Sequence, residues 1–379
     1  MEDVVIIGAG PAGSTVAEII AKSGFDVRLM EKRKPLETKV CGGDISMALA
    51  KELSLGGDVV EKVVSHEVLH FPWGVKVRPF RHVTVLRETF DKFLADRARK
   101  LGARVCYENK VVSVTRKGQL MYVHVKNLKD GENFSMCCKL VVFADGPLTL
   151  ATKLFPNVGF KGTISNLALA ARYELEWKNN GMNHHELFYG PDISSWGYGW
   201  IFPTKNSLNV GVGCLLSALR ESRAKITETL RRFVRHRKIG SEELETKKVL
   251  GFGAALVPLA PAERISGPSC LVVGDAAGMV DPLAGCGIES AVHAGKLAGN
   301  IAVEALQRDN FSEEFLSRYQ VLWKQSLSYS VVKRSYRIAK VAIPLSRVDK
   351  NLLSKIGYVL HFGKRSLIDI HVMLYPLTS

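Results

Sequence analysis

The chain is short of several things, and each shortage excludes something. It has no run of about 18 apolar residues free of charge, so no membrane-spanning helix is expected. Its start, MEDVVIIGAG, lacks the basic opening and small-residue cleavage site of a secretory leader. Seven cysteines (Cys41, Cys106, Cys137, Cys138, Cys214, Cys270 and Cys286) are odd in number and contain no C-x-x-C, unlike a disulfide framework or a zinc site. The histidines have no metal spacing: His184 and His185, adjacent in a strand-like stretch, face opposite ways, and no metal is expected. Acid is also scarce, with 37 Asp and Glu against 52 Lys and Arg, a net charge of +15. Such a chain favours anionic partners, namely phosphate-bearing ligands or an acidic membrane surface. No helix-turn-helix, zinc-finger or RNP pattern accompanies the charge, so nucleic acid is not expected. The chain reads as cytoplasmic, soluble or membrane-peripheral, and 379 residues suffice for two or three domains.

The first thirty residues are the most informative. A β-branched run over 3–7 suits a buried parallel strand. It enters Gly8-Ala9-Gly10-Pro11-Ala12-Gly13, a G-x-G-x-x-G loop that opens a helical pattern, and a second strand over 26–30 ends at Glu31 and Lys32. Gly8 permits the tight turn, Gly10 lets the backbone approach a pyrophosphate, and Gly13 lets helix and strand pack closely. Helix N–H groups then hold the phosphates. Glu31 follows the last glycine at the distance where a carboxylate accepts hydrogen bonds from ribose. Gly8, Gly10, Pro11, Ala12, Gly13, Glu31 and Lys32 are therefore candidate dinucleotide-binding residues. The acid disfavours a 2′-phosphate at this loop.

Later segments decide which dinucleotide. Arg87-Glu88-Thr89-Phe90-Asp91, with Leu94 and Ala98, resembles the R-x-x-F-D-x-x-L-x-x-x-A helix of the p-hydroxybenzoate-hydroxylase-like flavoproteins, and Arg87 offers a cation to a phosphate or a flavin edge. A buried strand over 140–144 runs into Ala144-Asp145-Gly146, similar to the A-D-G turn of those proteins. Another apolar strand ends at Gly274-Asp275-Ala276, similar to their G-D-A motif, whose aspartate contacts the ribityl chain. Gly285, Gly287 and Ile288 then open a helix expected to run to about Gln307, with its first N–H groups toward the flavin pyrimidine. The resemblance implies FAD. No second G-x-G-x-x-G follows, so electrons are expected from an external donor such as NAD(P)H or ferredoxin, bound transiently.

Residues 165–215 alternate apolar and polar, the mark of an antiparallel sheet. Within them stands Tyr198-Gly199-Trp200-Ile201-Phe202-Pro203, then seven residues, then Gly211-Val212-Gly213. Y-x-W-x-F-P-x7-G-x-G resembles the signature of the geranylgeranyl reductase family, which includes archaeal lipid-saturating enzymes. Cys41-Gly42-Gly43-Asp44-Ile45-Ser46 is similar to that family's C-G-E-G-I-S, and residues 278–288 to its G-x-V-x-P-x-x-G-E-G-I. The likeness covers residues 1 to about 310. Cys286 stands where the family has Glu, Gly43-Asp44 replaces Glu-Gly, and Thr149 follows the Asp145-Gly146 turn in place of Ser.

The resemblance implies an α/β fold: a Rossmann-like FAD-binding domain with an inserted antiparallel-sheet substrate domain and a helical C-terminal region. It also implies an FAD-dependent reductase that saturates C=C bonds of a geranylgeranyl or polyprenyl lipid, or of a polyprenyl diphosphate. Tyr198, Trp200 and Phe202 alternate and so share one face, an aromatic wall for an isoprenoid chain. An isolated alkene accepts hydride poorly, so a desolvated acid must supply a proton; Cys41 is one candidate and Cys286 another, against an inert packing role for each. Tyr198, Trp200, Phe202, Cys41 and Cys286 are the catalytic candidates, and Cys41 and Gly42 are also expected near the cofactor. The rival readings are an FAD monooxygenase or halogenase, and a flavin-bound lipid carrier or electron-transfer protein.

The expected layout is an FAD domain of 1–64, 85–158 and 250–310, a substrate sheet of 65–84 and 159–249, and a basic helical region of 311–379. From residue 321 onward ten Lys or Arg face two Asp. In VVKRSYRIAKVAI, Lys333, Arg334, Arg337 and Lys340 share one helical face, while Val332, Tyr336, Ala339 and Ile343 share another. This is either a helix on anionic lipid headgroups or a surface helix packed on the body. Residues 220–238 read as a solvated basic helix.

Overall fold

The structure, a computed structural model, describes residues 1–37, 39–178, 181–194, 196–345 and 349–362. It divides into two compact units, each assembled from three stretches of chain.

The first unit comprises Met1–Lys39, Arg87–Asn166 and Val257–Tyr336. Its sheet orders the strands Ser266–Gly267, Cys270–Val272, Asn133–Phe143, Glu2–Ile7, Val27–Met30 and Arg104–Cys106. From Cys270–Val272 to Arg104–Cys106 every pairing is parallel. Val4, Val5 and Ile6 are completely buried, as a strand covered on both faces requires. A hairpin of Asn109–Lys117 and Leu120–Asn127 extends Asn133–Phe143 in the antiparallel sense.

Helix Pro11–Lys22 packs against both Arg87–Lys100 and Ile288–Gln307. Two glycines allow the second contact. A Cβ at Gly295 would lie 2.8 Å from the Ala12 carbonyl oxygen, and one at Gly299 would lie 2.9 Å from Ile19 Cβ. The helix from Ile288 to Gln307 ends where its pattern predicts.

The second unit comprises Val40–Leu86, Leu167–Leu256 and Arg337–Ser379. Its mostly antiparallel sheet has the order Val249–Pro258, Leu167–Glu176, Ser207–Leu215, Gly197–Pro203, His184–Phe188, Val60–Phe71, Gly74–Val85, Asp44–Ser46. One pair departs from the expected antiparallel pattern, since His184–Phe188 joins Val60–Phe71 in parallel. On one face Ile201, Val210 and Val212 pack with Leu230 and Phe233 of helix Ile226–Arg235. Residues 220–238 are therefore not one solvated helix. They hold a break after Glu221 and a second helix whose apolar side is buried in the sheet.

The boundaries differ from the sequence layout. Asp44–Ser46 and Val60–Phe71 both hydrogen-bond to Gly74–Val85, so the chain enters the second unit at Val40 instead of after residue 64. Val249–Pro258 likewise belongs to the second sheet. Within the expected helical tail, Leu327–Leu345 is a helix. It buries Val332 and Ala339 and exposes Arg334, Arg337 and Lys340. Residues 363–379 of that tail lie outside the described residues.

Candidate functional site: a dinucleotide loop and an aromatic strand face

In the first unit the glycine loop is built by close approach. Gly8 has φ +103°, and a Cβ on it would meet the Ala144 carbonyl oxygen at 2.3 Å. A Cβ on Gly13 would lie 2.0 Å from the Gly8 carbonyl oxygen, so this helix can reach the loop only through a glycine. Gly10 differs: nothing lies within 4 Å of a Cβ there. Space over Gly10, at the N-cap of a helix with Pro11 in its first turn, is what a pyrophosphate approaching the backbone needs.

Glu31 is buried, and its Oε2 accepts from the Ala9 N–H at 2.9 Å. It also grips Arg33, whose Nε and backbone N–H each donate to Oε1 at 3.0 Å. Burial alone would raise the Glu31 carboxyl; the hydrogen bonds and charge of Arg33, with the Ala9 N–H, outweigh it and hold the group below the usual carboxylate range. Sequence reading assigned the acid to ribose and passed over Arg33. Ala9, Glu31, Arg33, Glu88, Asp91 and Tyr107 line a shallow cleft. Lys32 is exposed beside it. Arg87 is neither a surface residue nor an uncommitted cation: it is buried, and its Nε and Nη2 donate to the two Asp91 oxygens at 2.8 Å each.

Across the sheet, Ala144 donates its N–H to Ile7 at 2.8 Å, which seats the Ala144-Asp145-Gly146 turn against the glycine loop. Asp145 Oδ2 accepts from the Leu150 N–H at 2.7 Å, while its buried Oδ1 has no hydrogen-bond partner. Burial pushes the Asp145 carboxyl up to about 6 against that hydrogen bond. An acid raised from 3.8 gives stability that is full below pH 4 and lost as pH rises through 6, amounting to about 3 kcal/mol. In the flavin-free protein Asp145→Asn should therefore raise the melting temperature at pH 7 and change it little at pH 4. An equal effect at both pH values would show that ionisation of Asp145 plays no part.

At the other strand end Gly274 has φ +66° and Asp275 keeps its carboxylate partly exposed, with Lys39 Nζ at 3.5 Å. The loop to the long helix is pinned by Asp281, whose Oδ1 accepts from the N–H groups of Leu283 and Ala284 at 2.9 and 3.2 Å. Gly285 takes φ +68°, and a Cβ on Gly287 would lie 3.6 Å from Asp275 Oδ1 and 2.9 Å from Val280. Gly287 is the N-cap before Ile288, and Cys286 is exposed in this loop.

The second unit gathers the other candidates. Tyr198, Trp200 and Phe202 do share a face, with ring centroids 6.2 and 6.5 Å apart along the strand. Leu69, Phe71, Leu187 and Tyr189 complete an apolar cluster around them. Trp200 Nε1 donates to Asn209 Oδ1 at 2.9 Å, and Asn209 Nδ2 donates to the Cys41 carbonyl at 2.7 Å and to that of Gly42 at 3.2 Å. A Cβ on Gly42 would lie 2.8 Å from Phe202 Cε2. The Cys41 loop is thus tied to the aromatic strand through one amide.

Asn209 was missed in the sequence, although a buried amide in the apolar run SLNVGVGC, directly opposite Phe202 in register, is its signal. Behind the wall His185 stacks on Phe202 at 3.9 Å, and burial pushes it down to about 4 against the pull of Asp44, so it is neutral. Cys41 and Cys286 fall in different units. No group of three or more metal-ligating side chains occurs among the described residues.

An open backbone at Gly10, an unpartnered buried carboxylate oxygen at Asp145 and the Asp275 strand end fit a flavin adenine dinucleotide, and they define a flavoprotein. Residues 1–320 match the family described as FAD binding domain. A digeranylgeranylglycerophospholipid reductase of Methanocaldococcus jannaschii is 32% identical over 362 residues, covering 93% of this chain and 90% of that protein. The chain belongs to this family of FAD-dependent reductases. The fold is shared with a geranylgeranyl bacteriochlorophyll reductase-like protein of Thermoplasma acidophilum (23% identity, TM-score 0.82, 99% of this chain and 96% of that one). It is shared also with a flavin-dependent brominase (17% identity, TM-score 0.74, 98% of each chain).

Proposed function

We propose that the chain saturates isolated carbon–carbon double bonds of a geranylgeranyl or other polyprenyl lipid. The hydrogen-bonded path from Trp200 through Asn209 to Cys41 and Gly42 carries this reading, because it fixes an aromatic face beside a loop bearing a thiol. The curated relative's name supports it. Halogenases share the fold, and one scaffold hosts many chemistries, so that likeness carries no activity.

Bound FAD, once reduced, supplies a hydride equivalent, and a proton completes the addition across the double bond. The chain's part is to hold and to exclude. Gly8, Gly10, Gly13, Glu31, Asp145, Gly274 and Asp275 hold the cofactor. Tyr198, Trp200 and Phe202 bind the isoprenoid chain and keep water out. Cys41 stands as the proton source, and Cys286 as the alternative. Electrons come from an external donor such as NAD(P)H or ferredoxin. The substrate is taken from an anionic membrane surface on the cytoplasmic side.

Dithionite-reduced protein given a geranylgeranyl lipid without oxygen should add two hydrogens per double bond, read by mass spectrometry. Cys41→Ser should slow that reaction at least about tenfold, the lower end of a positioned proton donor's contribution being larger still, while Cys286→Ser should not. An unchanged lipid mass would overturn the proposal in favour of a flavin-bound carrier or electron-transfer protein, and NAD(P)H oxidation that consumes oxygen and is stimulated by an aromatic substrate would overturn it in favour of a monooxygenase.

A further inference from the structure

In the second unit, the hairpin of Val60–Phe71 and Gly74–Val85 has an apolar tip that no described residue covers. Trp73 is 49% exposed, Val75 55% and Val77 60%. Pro72 and Pro79 are exposed with them. Val75 and Val77 lie on one side of the strand and Lys76, also exposed, on the other, so both sides of the tip are open. Trp73 is braced from within the unit, stacked on Phe71 at 5.5 Å and set edge-on to Tyr358 at 6.3 Å.

Charge and edge chemistry narrow what meets this tip. Between Glu67 and Glu88 the chain has Lys76, Arg78, Arg81 and Arg87 and no acid. Arg78 is spent on Glu67 at 2.6 Å, which leaves Lys76 and Arg81 outward on the hairpin. The strand Gly74–Val85 meets Asp44–Ser46 only at His82–Thr84, so residues 74–81 form an open edge. A second strand adding there would face Pro79, which has no N–H to donate. Three exposed apolar side chains are also far too few for the roughly 1,000 Å² that a specific protein interface buries. A tryptophan among small apolar residues, on a hairpin whose residues 68–87 carry cations and no acid, is the composition of a segment that enters a lipid headgroup layer.

We propose that this hairpin tip is where the chain docks on an anionic lipid bilayer, with Trp73, Val75 and Val77 in the headgroup layer and Lys76 and Arg81 against its charge. The polyprenyl-lipid reading gives the reason for visiting a bilayer; the docking itself is measured without substrate.

The test uses the full FAD-loaded chain sedimented with vesicles of phosphatidylcholine alone or mixed with phosphatidylglycerol. Binding is expected to the mixed vesicles and to weaken with salt. The double variant Val75→Asp/Val77→Asp should lower the partition about tenfold or more. Lys76→Gln should lower it by about fivefold. Flavin absorbance and melting temperature should stay at the parent's values in both. The control Arg334→Gln/Arg337→Gln, on the basic helix, should change binding by less than about twofold.

Failure of the parent to bind anionic vesicles would overturn the proposal. So would hairpin variants that bind as well as the parent, or binding lost only in the basic-helix control. A fall in molar mass by light scattering in the hairpin variants would assign the tip to a second copy instead. Reduction of a detergent-dispersed geranylgeranyl lipid, run on the same proteins, should survive the hairpin changes. Its absence in the parent would sink the reductase reading and leave the docking result standing.

Discussion

Gly13→Ala is expected to yield a protein that purifies without its yellow flavin. The added Cβ would sit 2.0 Å from the Gly8 carbonyl oxygen, a distance that backbone cannot absorb without moving the loop. Overpacking of this kind costs about 1–3 kcal/mol, and it falls on the segment that holds the pyrophosphate, so FAD affinity should drop roughly 100-fold. The melting temperature of the flavin-free protein should fall with it. Gly10→Ala is the informative partner, because nothing lies within 4 Å of a Cβ there and its backbone is ordinary extended chain. That variant should fold as stably as the parent without flavin and still bind FAD poorly. If Gly10→Ala binds FAD normally, the open space over Gly10 is not where the dinucleotide lies.

The second large effect concerns Trp200. Truncation to alanine removes a ring that is 6% exposed and should destabilise the protein by about 3–5 kcal/mol, with lipid reduction lost. Trp200→Phe separates packing from hydrogen bonding. It keeps an aromatic ring but deletes the N–H that orients Asn209, and Asn209 in turn holds the carbonyls of Cys41 and Gly42. Lipid reduction should then fall about tenfold with FAD content unchanged, and Asn209→Leu should lose at least as much, since Trp200→Phe breaks one hydrogen bond of this buried chain and Asn209→Leu breaks all three, each worth about 1 kcal/mol. If Asn209→Leu retained the parent's rate, the Cys41 loop would be positioned by something else. The shape at this point is already tight, because a Cβ on Gly211 would lie 2.1 Å from the Trp200 ring.

Much of the cofactor half was legible because its constraints are local. A strand, a glycine loop and a helix occupy consecutive residues, and the spacing from Gly13 to Glu31 follows from one turn of chain around the sheet. The shared face of Tyr198, Trp200 and Phe202 was legible for the same reason, being set by the strand repeat of two. What went unread was how charged side chains are spent and which elements meet. Arg33 takes hold of Glu31 by the way the chain turns after the strand, and Arg87 is consumed by Asp91 one helical turn on, a pairing that the i, i+4 spacing does announce. Gly295 and Gly299 stand four apart in AGKLAGN, yet only the neighbouring helix explains why neither carries a side chain. The unit boundaries failed for a related reason. Strand patterns do not say which sheet a strand joins, and Val60–Phe71 looks the same until its partners in Gly74–Val85 and His184–Phe188 are known.

The threading of each unit from three separated stretches bears on how the protein is made. The first unit needs Val257–Tyr336 to finish its sheet, since Cys270–Val272 pairs with Asn133–Phe143 and brings Gly274 and Asp275 with it. A nascent polypeptide that has emerged only as far as residue 250 holds the glycine loop but lacks the strand and long helix that close around it. Such a chain would wait on the ribosome with apolar edges uncovered, which makes early chaperone capture and late flavin uptake the expected order of its biogenesis.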